Sequence, residues 1–265
     1  MLFRLSNLEI VLVVLAVVAG STAAGVVTGR RLGRRQESMR ESLGAAQGAL
    51  LGFVGLLLAF GLTMAVGRYE ADRTAVVNEA NAIGTVYLRA QTLSEPLRSQ
   101  SLLLLRQYTD SRLALSQAVP GRAGFKKAVA DANTIQNLLW GLAGTALGND
   151  PSGSATRLYV DSLNDMIDLH TTRISALGNR VPSAVAYLQL VGGSFAVGLL
   201  AMYLAMLHRS VTTALLAAGM VMVILLVIFD LDRPRRGLIT VPSTPLAALR
   251  ASMDQPPPAK APTPR

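Results

Sequence analysis

The chain contains no cysteine. Disulfides, thiolate metal sites and thiol nucleophiles are excluded together. Histidine is almost as scarce: only His170 and His208 occur, far apart in sequence, so spacing assembles no metal set. Aromatic residues make up 5% of the chain, with a single tryptophan. The basic residues are nearly all arginine and gather beside apolar runs rather than along an aromatic-studded face. The net charge of +9 therefore reads as membrane anchoring and not as nucleic-acid binding. No phosphate loop, no nucleophile with a paired base and no metal constellation stands out, so the chain does not read as an enzyme and implies no cofactor. Strand-type alternation and long internal repeats are also missing.

What is present is apolar length. Four runs, Leu8 to Val27, Leu43 to Val66, Ser183 to Leu207 and Val211 to Phe229, carry no charge in their interiors. At about 1.5 Å per helical residue each can cross a hydrocarbon core of about 30 Å. The first run has one feature of a signal peptide, since Arg4 precedes an apolar core ending in the small residues Ala19 to Ala24. The run continues through Val26 and Val27 into Arg30, Arg31, Arg34 and Arg35, a stop-transfer pattern that reads as a retained helix. The fold class expected is all-α: a polytopic membrane protein with four transmembrane helices and a helical insert between the second and third.

The divisions expected are a first transmembrane pair over 1–66 and an extramembrane insert of four helices over 67–182. A second pair in a tight hairpin follows over 183–229, then a polar C-terminal segment over 230–265 ending in a disordered tail rich in Pro and Ala. In the insert, Val76, Ala80, Ile83 and Tyr87 continue helical spacing from the second span without a break. Turns at Ser94-Glu95-Pro96, at Pro120-Gly121 and at Gly148 to Ser154 separate three further helices. The last places Leu163, Ile167, His170, Ile174 and Leu177 on one face and Asp161, Asp165 and Asp168 on the other, a solvated acidic stripe around an amphipathic core helix.

Candidate functional residues concentrate on the second span. Gly44, Gly48 and Gly52 recur every four residues, the spacing that lets helix backbones approach closely in lipid. Such a stripe suits a pore-lining or subunit-contact helix, and equally ordinary packing within the bundle. Phe53, Leu56, Phe60 and Met64 form a ladder that could constrict a pore and gate it by dewetting, or face lipid. At the membrane boundary Arg68, Asp72, Arg73 and Glu79 form a dense polar cluster. Arg68 and Asp72 at i, i+4 point to ion pairing, either a surface network or a lock between subunits. Beyond the fourth span, Asp230 and Asp232 are weak candidates for a cation site, and no metal-ligand set is identified.

The stretch Gly52 to Tyr69, with Phe60 eight residues before Arg68, followed by Arg73 and Glu79-Ala80-Asn81-Ala82-Ile83, resembles the end of the second span in bestrophins. It is more similar still to bestrophin-like bacterial membrane proteins, as are Asn164 to His170 and Asp230 to Gly237. The resemblance runs from about Gly44 to Leu246. It implies an oligomeric membrane protein and, by the bestrophins, a pentameric anion channel. The hydrophobic neck of the second span would then fall to Phe60 and Leu56, a small inorganic anion would be the partner, and a calcium clasp would correspond loosely to Asp230 and Asp232. Here arginines follow those acids.

Orientation divides the two lines of reasoning. Arg30, Arg31, Arg34, Arg35 and Arg40 place the first loop in the cytoplasm by the positive-inside rule, and hence the insert outside, whereas the resemblance implies the reverse. The charge count favours the basic loop inside and the insert outside. The function expected is a bestrophin-like, homo-oligomeric ion channel of the bacterial inner membrane. The competing class is a non-conducting membrane sensor or scaffold whose helical insert binds a ligand or partner.

Overall fold

The computed structural model describes residues 6–32, 39–178, 182–233 and 237–255. Arg34 and Arg35 of the basic first loop, the arginines Arg180, Arg235 and Arg236 beside the later spans, and the tail from 256 lie outside the described residues. Every regular element among the described residues is a helix: α1 Asn7–Leu32, α2 Met39–Ala90, α3 Leu97–Gln117, α4 Ala123–Asn149, α5 Ser154–Gly178, α6 Ser183–Met206, α7 Val211–Leu231 and α8 Thr244–Ser252. Four of them, α1, α2, α6 and α7, are long and apolar enough to cross a membrane. By its internal contacts the chain divides into two units, one of residues 1–70 and 180–240, the other of residues 71–179 and 241–265.

In the first unit, α1 starts on a reciprocal cap. The Ser6 amide donates to Glu9 Oε2 at 2.6 Å and the Glu9 amide to Ser6 Oγ at 3.2 Å, which satisfies two of the amides a helix start leaves open. Ile10, Val14 and Val18 of α1, Val54 and Leu58 of α2, Leu190 and Val197 of α6 and Leu225 and Ile228 of α7 form the buried core. Half of the apolar stretch of α6 is buried, the largest share of the four, so α6 is the inner helix around which the others pack. The α1–α6 contact is made possible by glycine. A Cβ on Gly25 would run into the Gly198 carbonyl, one on Gly29 into the Met202 carbonyl, and one on Gly198 into Ser21. Ser21 Oγ also donates to the Ser194 carbonyl at 2.6 Å, a polar tie of the kind that joins helices in lipid. The α6–α7 turn is as short as the sequence predicts, with His208 at φ 53° and Ser210 capping α7 through the Thr212 amide.

The second unit is built from the end of α2, α3, α4, α5 and α8. Ile83, Val86, Leu105, Tyr108, Leu139, Tyr159, Leu163 and Met166 fill its core. The expected turns fall where predicted: Gly121 adopts φ +85°, which a non-glycine residue tolerates poorly, and Asp150 ends α4. The acids Asp161, Asp165 and Asp168 are exposed, while Leu163 and His170 are buried. One element departs from the sequence reading, which assigns nothing regular to residues 230–254. Helix α8 has Pro245 in its first turn and buries Leu246, with Met253 buried at its end. The Met253 carbonyl accepts from Tyr87 Oη at 3.0 Å and from Arg106 Nη2 at 2.5 Å, and Arg250 pairs with Asp110 at 2.7 Å.

Candidate functional site

The membrane stretch of α2 has two unlike faces. Val54, Leu58, Gly61 and Ala65 turn into the bundle. Gly61 leaves room there for the side-chain amide of Gln189, which a Cβ would push aside and whose Nε2 donates to the Leu57 carbonyl at 3.2 Å. The other face carries Phe53, Leu56, Phe60 and Met64, which are 58%, 55%, 60% and 47% exposed within the chain. Steps of three and four residues keep these side chains on one side of the helix. Only 22% of the apolar stretch of α2 is buried, the smallest share of the four membrane helices.

The glycine stripe divides between these environments. A Cβ on Gly44 would lie 2.9 Å from the Tyr203 hydroxyl, a real intrachain contact. Gly48 and Gly52 have nothing within 4 Å, as does Gly55. Packing within this bundle therefore accounts for Gly44 and not for Gly48 or Gly52, which lie on the open face with Phe53 and Leu56. Among the glycines at helix contacts in the chain, Gly25 and Gly29 stand four residues apart on α1, with Ser21 one step before them, a small-residue spacing that the sequence offers as plainly as the stripe on α2, whereas Gly61 and Gly198 have no glycine four residues away.

Within the polar cluster at the membrane boundary, Arg68 and Glu79 both have partners on other helices. Arg68 Nε pairs with Asp232 Oδ1 at 3.2 Å, joining α2 to the residue that caps α7. Asp72 is half-buried and Arg73 exposed. Glu79 belongs elsewhere: its side chain is wholly buried, with Oε1 accepting from Arg112 Nε at 2.5 Å and Oε2 paired with Arg173 Nη1. Arg112 comes from α3 and Arg173 from α5, partners more than thirty residues away that no local spacing reveals. The only sequence signal was an arginine on the apolar face of an amphipathic helix, as at Arg173.

This triad is one carboxylate against two guanidiniums, all buried. Burial pushes the Arg112 guanidinium below its ordinary value, yet an arginine stays charged in a protein. Beside it, Tyr108 Oη accepts from Gln136 Nε2 at 3.1 Å and lies 3.3 Å from His170 Nδ1, and His170 Nε2 lies 3.1 Å from Asn133 Oδ1. Desolvation, then the Arg112 charge, hold the His170 imidazole down at about 4, so it is neutral at physiological pH. Tyr108 is pushed up, chiefly by burial. The arrangement is a polar core that joins α2, α3, α4 and α5, and among the described residues it presents no exposed acid or base.

The acids at the end of α7 are likewise engaged. Asp230 accepts two backbone amides, from Leu238 at 2.7 Å and Ile239 at 2.8 Å, fixing the turn that follows the helix. Arg233 Nη1 donates to Asn7 Oδ1 at 3.3 Å, tying that turn to the start of α1. Among the described residues no group of three or more His, Asp or Glu side chains could hold a metal ion.

The fold is similar to crystal structures of a bacterial Bestrophin homolog from Klebsiella pneumoniae. One, a single-residue variant, gives a TM-score of 0.69 at 12% identity, covering 89% of this chain and 97% of that one. A second structure of the homolog gives 0.68 at 12% identity, covering 89% and 96%. At this identity the likeness establishes the fold. No curated protein matches the sequence. The model of the Bestrophin-like domain matches residues 10–246, and the chain belongs to that family.

Proposed function

We propose that the protein is a homo-oligomeric anion channel, a multi-pass protein of the bacterial inner membrane, in which α2 lines a central pore and Leu56, Phe60 and Met64 form a hydrophobic neck. The observation that carries the reading is the open face of α2. Four large apolar side chains stand uncovered there beside two glycines with no neighbour. A ring of such faces around an axis would bring bulky side chains together at one level and let backbones approach at another. A ring of Leu and Phe side chains excludes water when narrow, so ions cross only when it widens. The resemblance to bestrophins, and the fold shared with the Klebsiella homolog, support placing the neck on this helix.

Halide flux into proteoliposomes at equal protein loading tests the proposal. Phe60→Ala and Leu56→Ala widen the constriction and lower its dewetting barrier, so both should conduct faster than wild type. If none of the three proteins exceeds empty liposomes while the oligomer stays intact, the channel reading fails.

A further inference from the structure

The face of the first unit formed by α1 and α7 carries a groove of about 460 Å³, in the size range of pockets that hold ligands, and it lies between two membrane helices. Its walls are apolar: Leu15, Ala19, Ala23 and Val27 from α1, Leu215 and Met222 from α7. The one hydroxyl on the wall, Thr22 Oγ1, is already spent on the Val18 carbonyl at 2.7 Å. Nothing along its length asks for a polar occupant.

The mouth is different. At one end the walls are Val26, Val27 and Val211. Arg30 follows Val26 by four residues and Val27 by three, so it extends the α1 side of the groove by one turn. Arg209 precedes Val211 by two residues, and Arg31 adjoins. All three arginines are exposed, and among the described residues none of them makes an ion pair or side-chain hydrogen bond. A second groove of about 410 Å³ between the opposite ends of the same helices makes the comparison. Its arginine, Arg233, already donates to Asn7, and Asp230 stands beside it. Of these two grooves, the first pairs a dry trough with uncommitted positive charge among the described residues.

We propose that this groove binds one anionic glycerophospholipid, with an acyl chain along α1 and α7 and the phosphate held by Arg30 and Arg209. A dry trough wants hydrocarbon, and two unsatisfied guanidiniums at headgroup level want a phosphate that keeps its net negative charge. A second copy of the chain would present helix to the groove and would leave those arginines unmatched. The site stands on residues remote from the α2 face and does not rest on channel activity.

Native mass spectrometry of the detergent-purified protein, with phosphatidylglycerol and phosphatidylcholine offered at equal concentration, tests it. Wild type should retain one phosphatidylglycerol per chain in clear preference to phosphatidylcholine. Arg30→Gln with Arg209→Gln should bring the two lipids to parity, since each arginine near an anionic headgroup is worth roughly a fivefold preference. Among the described residues neither side chain has a partner to lose, so melting should stay at the wild-type temperature. Gly219→Leu should reduce retention of both lipids: Gly219 lines the groove and a Cβ there meets nothing within 4 Å, so the new side chain fills the trough without strain. Equal retention of the two lipids by wild type, an unchanged preference in the arginine double variant, or retention untouched by Gly219→Leu would each overturn the assignment. Loss of all lipid from wild type would do the same and would point to a neighbouring copy over the groove.

Discussion

Replacing Glu79 by Gln removes one charge and almost no volume. Glu79 is wholly buried between Arg112 and Arg173, which are themselves 0% and 3% exposed at the side chain. In wild type, the Glu79 carboxylate pairs with both guanidiniums. In Glu79→Gln the guanidiniums face a neutral amide whose NH2 is a donor set against donors, and among the described residues no other carboxylate pairs with Arg112. Breaking a buried pair by removing one partner costs about 3 to 5 kcal/mol, because the charge left behind has been taken out of water. The exposed pair of Asp110 with Arg250 supplies the contrast, since such pairs are worth about 0 to 1 kcal/mol. Trp140, the only tryptophan, lies on α4 of the same unit and reports its unfolding by fluorescence. In denaturant titrations Glu79→Gln should lose about 3 to 5 kcal/mol and Asp110→Asn less than about 1 kcal/mol. Equal losses from the two changes would refute the argument that the triad is a buried lock.

Three further outcomes follow from the same structure. His170 titrates at about 4 when folded and near 6.5 when unfolded, so on acidification the unfolded chain takes up its proton first. The unit's stability should be intact above about pH 6.5 and fall by about 1.4 kcal/mol per pH unit down to about pH 4; His170→Gln should flatten that segment of the profile. Gly198→Val should destabilise the membrane unit by roughly 1 to 3 kcal/mol through overpacking against Ser21, measured by thermal melting in detergent. Gly48→Leu should leave that melting temperature unchanged and reduce the cross-linked oligomer, since its Cβ meets nothing within the chain.

The membrane helices were legible because twenty uncharged apolar residues leave few alternatives to a span, and the unbroken period from Val76 to Tyr87 showed α2 continuing past its membrane stretch. Helix α8 was not legible: nine residues with Leu246 and Leu249 as their spaced apolar positions give too short a pattern, and the burial that stabilises it comes from Tyr87 and Arg106 far upstream. The ion pairs failed to show for a related reason. Spacing along one helix can place Arg68 near Asp72, but Arg112 and Arg173 reach Glu79 only through the packing of α3 and α5. The ladder Phe53, Leu56, Phe60 and Met64 could be drawn from sequence as one face. That the bundle leaves it uncovered depends on which side of α2 turns toward Gln189 and Gly192 of α6, and both faces are apolar, so periodicity does not distinguish them.

The central claim is that this uncovered face looks onto water in an assembled pore and not onto lipid. The chain has no cysteine, so Phe60→Cys introduces a single thiol and at the same time relieves the constriction. A thiol reacts as its thiolate, which forms in water and is suppressed in hydrocarbon. Leu216→Cys on α7, at a residue 71% exposed, provides a position expected to face lipid. With a charged, membrane-impermeant thiol reagent applied to proteoliposomes, position 60 should be modified and halide flux should fall, while position 216 stays unreactive and its flux unchanged. A thiol at position 60 as inert as the one at 216, in an oligomer that remains intact, would contradict the account.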